Sequence, residues 1–130
     1  MKQKIFLALM FFSLFAYPAK AQDYLSGLVS SLNKSHSAEA IISLGAYKSS
    51  LLGCFTTHEG NESQCIDNVS FNPSANFTYD FLQAPKDGSQ AWSIKASGRG
   101  DYAANDAVML ISDENGSIIC KAIGKMAGAC

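Results

Sequence analysis

Phe77-Thr78-Tyr79-Asp80-Phe81-Leu82 and, after a turn-rich spacer, Trp92-Ser93-Ile94-Lys95-Ala96-Ser97 carry the period that decides the fold. In both stretches an apolar side chain alternates with a neighbour that is mostly polar. That spacing puts every second residue on one face of a β-strand. Downstream, residues 107–111 are apolar, and residues 117–123 place Ile118 and Cys120 on a common face. The spacers Pro85-Lys86-Asp87-Gly88, Gly98-Arg99-Gly100-Asp101 and Asp113-Glu114-Asn115-Gly116 are turn material. Asn115-Gly116 is the strongest tight-hairpin signal among them. Four strands joined by short turns predict an antiparallel meander.

Upstream the period changes. In residues 23–52, Leu25, Leu28, Val29 and Leu32 fall at i, i+3, i+4 and i+7, one face of a helix. The stripe resumes with Ala38, Ile41, Ile42 and Gly45, then Leu51 and Leu52. Between the halves, Asn33-Lys34-Ser35-His36-Ser37 is polar and poor in helix formers. Either the helix breaks there, with Ser35 or Ser37 capping a second one, or it continues through a solvated turn. Gly53 is the expected stop signal. An antiparallel sheet has one face to cover, and an amphipathic helix can cover it. The expected fold is therefore α+β, a long N-terminal helix packed on a four-stranded antiparallel meander.

Residues 1–21 read as a Sec-type signal peptide. Met1-Lys2-Gln3-Lys4 is a basic start, residues 5–17 are apolar but for Ser13, and Ala19-Lys20-Ala21 fits an Ala-x-Ala cleavage site. A membrane span needs about 20 apolar residues to cross roughly 30 Å of hydrocarbon, and this run is shorter. Cleavage is expected, with an uncleaved anchor as the alternative. Residues 22–130 then suit one domain with a modest core. Three of the 10 basic residues, Lys2, Lys4 and Lys20, lie in the leader, whereas all 11 acidic ones follow it. The resulting mildly acidic surface argues against nucleic-acid binding, which depends on neutralising phosphates. No membrane span is expected after cleavage.

Cys54, Cys65, Cys120 and Cys130 are the 4 cysteines, an even number that points to disulfides in a short exported chain. Three pairings exist on paper. Cys54–Cys65 and Cys120–Cys130 are favoured, because each closes a short polar or Gly-rich loop at the edge of a predicted element. The competing metal reading uses Cys54, His58 and Cys65 with a distant fourth ligand. No Cys-x-x-Cys is present, so neither a metal nor a cofactor is expected.

Nor is there a framework for catalysis. His36 and His58 are the 2 histidines, each in a polar segment with no Gly-x-Ser-x-Gly around it. Oxidised cysteines offer no thiolate, and no Gly-rich phosphate loop occurs. No catalytic residue is assigned. Arg99-Gly100-Asp101 is the tripeptide that integrins read in adhesive proteins, and flanking Gly98 and Tyr102 suggest an exposed loop; a strand connection by itself also favours Gly and Asp. Asn61, Asn68, Asn76 and Asn115 head Asn-x-Ser/Thr triplets, glycan acceptors in a eukaryotic secretory pathway and otherwise a mark of a polar surface. Phe77, Tyr79, Phe81 and Trp92 fit a buried sheet face better than a binding platform.

The order of long helix, variable loop, four-stranded meander and C-terminal disulfide resembles the globular part of type IV pilins and pseudopilins. Tyr17-Pro18-Ala19-Lys20-Ala21-Gln22-Asp23-Tyr24 is similar to the stretch where pilin helices leave the membrane. Ser37-Ala38-Glu39-Ala40-Ile41-Ile42-Ser43-Leu44-Gly45-Ala46-Tyr47-Lys48 resembles the helix segment that lies on the sheet, and Asn76-Phe77-Thr78-Tyr79 with Trp92-Ser93-Ile94-Lys95-Ala96 resembles its first two strands. The resemblance implies a minor or accessory component of a type IV pilus or type II secretion-type system, partnered by its subunits or by a surface ligand. The chain departs from the family in two places. The first glycine is Gly27, beyond the apolar run, and no acid precedes Asp23, so the prepilin cleavage site and the assembly carboxylate are missing. A pilin-like domain on a Sec signal is expected in the periplasm of a Gram-negative bacterium or outside the cell. The alternative is a free-standing binding module, an adhesin or inhibitor unrelated to pilus assembly.

Overall fold

The computed structural model describes residues 18–130. The expected leader lies outside the described residues except for its last four, which belong to the first helix. The described residues divide into two units between Leu32 and Asn33. The helix α1 runs Pro18–Thr57. It is followed by a short 3-10 turn, η1, at Glu62–Cys65 and the strands β1 (Phe77–Gln83), β2 (Trp92–Gly98), β3 (Ala107–Ser112) and β4 (Ile118–Ile123). A second 3-10 turn, η2, spans Gly124–Met126. The α+β expectation holds. All three strand pairs are antiparallel, and the sheet order is β1-β2-β3-β4, the predicted meander. Among the described residues, no helix is long and apolar enough to cross a membrane.

The polar segment at residues 33–37 does not break the helix. Ser37 satisfies its hydroxyl by donating to the carbonyl of Lys34 at 2.9 Å, one turn back. Gly53 does not stop the helix either. The turn that ends it comes at Gly60, whose φ of +85° is backbone that side-chain-bearing residues rarely adopt.

The stripe expected at Leu25, Leu28, Val29 and Leu32 lies in the first unit, where all four are at least half exposed. In the second unit Ser37, Ala40, Leu44 and Leu51 are buried, with Ile41, Tyr47, Cys54 and Phe55 packed beside them. This face overlaps the expected one at Ile41 and Leu51 but is turned from it at Ala38, Ile42 and Leu52, which are exposed. From the sheet, Phe77, Tyr79, Trp92, Ile94, Ala96 and Val108 join the same core. Burial of side chains this large stabilises by about 1.5–3 kcal/mol each, and Trp92, Phe77 and Ile94 have essentially no exposed surface. The aromatic alternation in β1 and β2 is thus mainly core, with Phe81 at its margin.

The β3–β4 connection is longer than a two-residue hairpin. Asp113 organises it by accepting from the backbone N–H groups of Asn115 and Ser117, each at 2.9 Å. The left-handed position is Gly116, with φ +81°, while Asn115 keeps an ordinary negative φ. In β1, a bulge between Phe81 and Gln83 interrupts the register with β2.

Candidate functional site

The register divides the connections between two ends of the sheet. Trp92 pairs with Ser112, and Ser112 with Ile118, so the β1–β2 and β3–β4 connections share one end, here the hairpin end. Phe77 pairs with Gly98, Ser97 with Ala107, and Ala107 with Ile123. The start of β1, the β2–β3 loop and the C-terminal segment therefore meet at the other, the loop end.

At the hairpin end the disulfide Cys54–Cys65 joins the last turns of α1 to η1, with an S–S distance of 2.03 Å. Its neighbour Glu62 is buried and accepts from the N–H of Gly60 at 3.1 Å and of Gly88 at 2.9 Å. Asp87 returns the link by accepting from the N–H of Ser63 at 2.9 Å. The Gly88 N–H is the main reason that the Glu62 carboxyl is held below its ordinary range. Hydrogen bonds from Ser63 lower that of Asp87, since a donor aimed at a carboxylate favours its charged form. Leu52, Phe55, Thr56, Glu59, Glu62 and Gln90 line an open cleft of about 430 Å³ here.

Cys54, His58 and Cys65, the residues of the competing metal reading, do come together, with donor atoms within 4.8 Å of one another. Both sulfurs are committed to the disulfide, and a metal ligand must be a thiolate. His58 Nδ1 instead lies 2.9 Å from Thr57 Oγ1 and 3.1 Å from the Cys54 carbonyl.

The loop end is held by Tyr102. This residue is buried, its ring stacks on Phe77 with centroids 6.1 Å apart, and its hydroxyl donates to Asn33 Oδ1 at 3.0 Å. The hydroxyl oxygen is left to pair with Nδ1 of His36. Burial, reinforced by the charges of Asp101, Asp106 and Glu39, pushes the Tyr102 hydroxyl above its ordinary pKa. Asn76 adds a further tie to the helix by donating to Glu39 Oε2 at 3.2 Å.

Asp106, also buried, accepts from the N–H groups of Ala103 and Lys125, each at 2.9 Å. The Lys125 N–H is the chief cause of its lowered pKa. Asp106 so joins the β2–β3 loop to η2, and the second disulfide, Cys120–Cys130, brings the C-terminal residues back to β4. Both expected pairings, Cys54–Cys65 and Cys120–Cys130, are present.

Arg99, Gly100 and Asp101 are all exposed on the β2–β3 loop, at the same end as the C-terminal segment and at the opposite end from Cys54–Cys65. Sequence reading missed Glu62, Asp106 and the Asn33–His36–Tyr102 group. Single carboxylates that accept from loop backbone have no periodicity or spacing to reveal them. The Asn33-Lys34-Ser35-His36-Ser37 segment did stand out, although as a possible break and not as an anchor. Against known proteins, no family model matches this chain, and no curated protein or solved structure is significantly similar to it.

Proposed function

We infer that this chain is a non-enzymatic pilin-like protein, a minor or accessory component of a type IV pilus or type II secretion-type system that works by contacting other proteins or a surface. The observation that carries the reading is the order of elements. One long helix precedes a sheet whose four strands lie in chain order, and a disulfide draws Cys130 back to β4. The local likeness at residues 17–24 and 37–48 supports it. Two disulfides suit an oxidising compartment, which favours the periplasm of a Gram-negative bacterium or the exterior.

The chemistry at both ends of the sheet supports a role in binding over catalysis. Each histidine is engaged with neighbouring side chains. All 4 cysteines are oxidised, and Glu62 and Asp106 spend their oxygens on backbone N–H groups. These groups serve as structural ties, the histidines through Nδ1 and the carboxylates through both oxygens.

Chemical crosslinking in the native cell, followed by affinity purification and mass spectrometry, tests the reading. Pilus or secretion-system subunits are expected among the crosslinked partners. A monomer recovered only with unrelated proteins would overturn it in favour of a free-standing adhesin or inhibitor.

A further inference from the structure

Arg99, Gly100 and Asp101 form the tip of a turn at the loop end that the pilin-like reading leaves unused. The turn is closed by the N–H of Tyr102 donating to the carbonyl of Arg99 at 3.2 Å. On entry it is fastened by the N–H of Arg99, which donates to the carbonyl of Asn76 at 2.9 Å. Gly100 has φ +66° at the second position, as the mirror-image turns require. A Cβ there would also press on the Ala75 carbonyl oxygen at 3.2 Å. On exit the chain is fixed by buried Tyr102, held by Phe77, Asn33 and His36.

Two opposite charges thus stand on either side of a glycine, on a frame anchored at both ends. All three tip residues face solvent. A preformed turn has little conformational freedom left to lose on binding, which favours affinity.

We propose that this turn is a recognition site for a receptor that offers an acidic groove to the Arg99 guanidinium and a protein-held divalent cation to the Asp101 carboxylate. A guanidinium pairs with carboxylates through parallel N–H bonds that lysine cannot reproduce. An aspartate oxygen is an ordinary ligand for magnesium, manganese or calcium, and it can complete the coordination of a cation that has an open position. The site goes beyond the pilin-like reading and stands independently of it.

The test uses the purified chain, immobilised, with a soluble ectodomain of an Arg-Gly-Asp-reading integrin as the probe. Saturable binding is expected in the presence of manganese, lost in EDTA and displaced by a short Arg-Gly-Asp peptide. Asp101→Glu moves the carboxylate by one methylene and Arg99→Lys removes the planar fork. Each is expected to weaken binding at least about tenfold while leaving the thermal midpoint unchanged, since both positions are exposed. Absence of wild-type binding, binding that survives EDTA, or an Asp101→Glu variant that binds like wild type would each overturn the proposal. The measurement needs no pilus component, so its failure is distinguishable from failure of crosslinking in the cell.

Discussion

At the hairpin end of the sheet, buried Glu62 accepts from Gly60 and Gly88; at the loop end, buried Asp106 accepts from Ala103 and Lys125. In both places one carboxylate uses two oxygens to tie together segments distant in sequence. What lies beside the carboxylate differs. Next to Glu62 a disulfide bonds the helix covalently to the loop, and Cys65 has no exposed surface. Next to Asp106 the helix is tied by side chains alone, through Asn33 and His36 to Tyr102 and through Glu39 to Asn76. The same electrostatic clamp therefore sits beside a helix fastened covalently at one end and by hydrogen bonds at the other. The exposed turn at residues 99–101 belongs to the end where hydrogen bonds fasten the helix.

The largest effect that would separate the ends comes from the cysteines. Replacing Cys54 and Cys65 together with serine should cost about 2–5 kcal/mol in denaturant unfolding. The corresponding change at Cys120 and Cys130 should cost less, because Cys130 is exposed and its loss leaves a smaller gap in the core. Equal losses would mean that loop closure alone, and not core position, sets the value of each bond.

Next in size is Tyr102→Phe. It keeps the ring on Phe77 but removes the hydroxyl shared by Asn33 and His36, at a cost of about 1–2 kcal/mol. Amide hydrogen exchange should rise in the β2–β3 loop and not at Gly88. A uniform rise over both ends would show that the ends open together.

Acid should loosen both clamps. The carboxyl pKa values of Glu62 and Asp106 lie below the ordinary 4.5 and 3.8, so their stabilisation is complete above those values. It is lost as pH falls through the lower folded-state values. Glu62→Gln should remove the acid dependence of exchange at Gly88, and Asp106→Asn that at Lys125, with little crossover.

The smallest effect comes from a glycine of the helix. Gly53→Ala, in a helix with open space at the Cβ position, should stabilise by about 0.5–1 kcal/mol. At the loop end Gly124→Ala should instead destabilise, by more than Gly53→Ala stabilises, since φ is +64° and the new carbon would collide with Asp106 Oδ1 and the Asn105 carbonyl oxygen. Thermal midpoints of the two variants check the pair.

The strands were legible because alternation such as Phe77, Tyr79 and Trp92, Ile94 is local and strong. The disulfides were legible because each pair brackets a short loop. The helix was legible as an element but only partly in its facing, at Ile41 and Leu51. Its apolar residues lie nearly all around, so Ile42 and Leu52 compete in the pattern with Ala40 and Leu44, and only the sheet chooses between them. The clamps were not legible at all. Whether Glu62 meets the Gly88 N–H depends on where two loops end in space, which no spacing along the chain encodes.

The strand order has a further consequence, for how the cysteines find one another. Each strand pairs with the one made just before it, and the bonded cysteines are only 11 and 10 residues apart. Closing such loops costs less chain entropy than closing the long loop between Cys54 and Cys120. Oxidation of this chain is thus biased toward the native partners from the outset. Correct bonding should need little reshuffling by an isomerase.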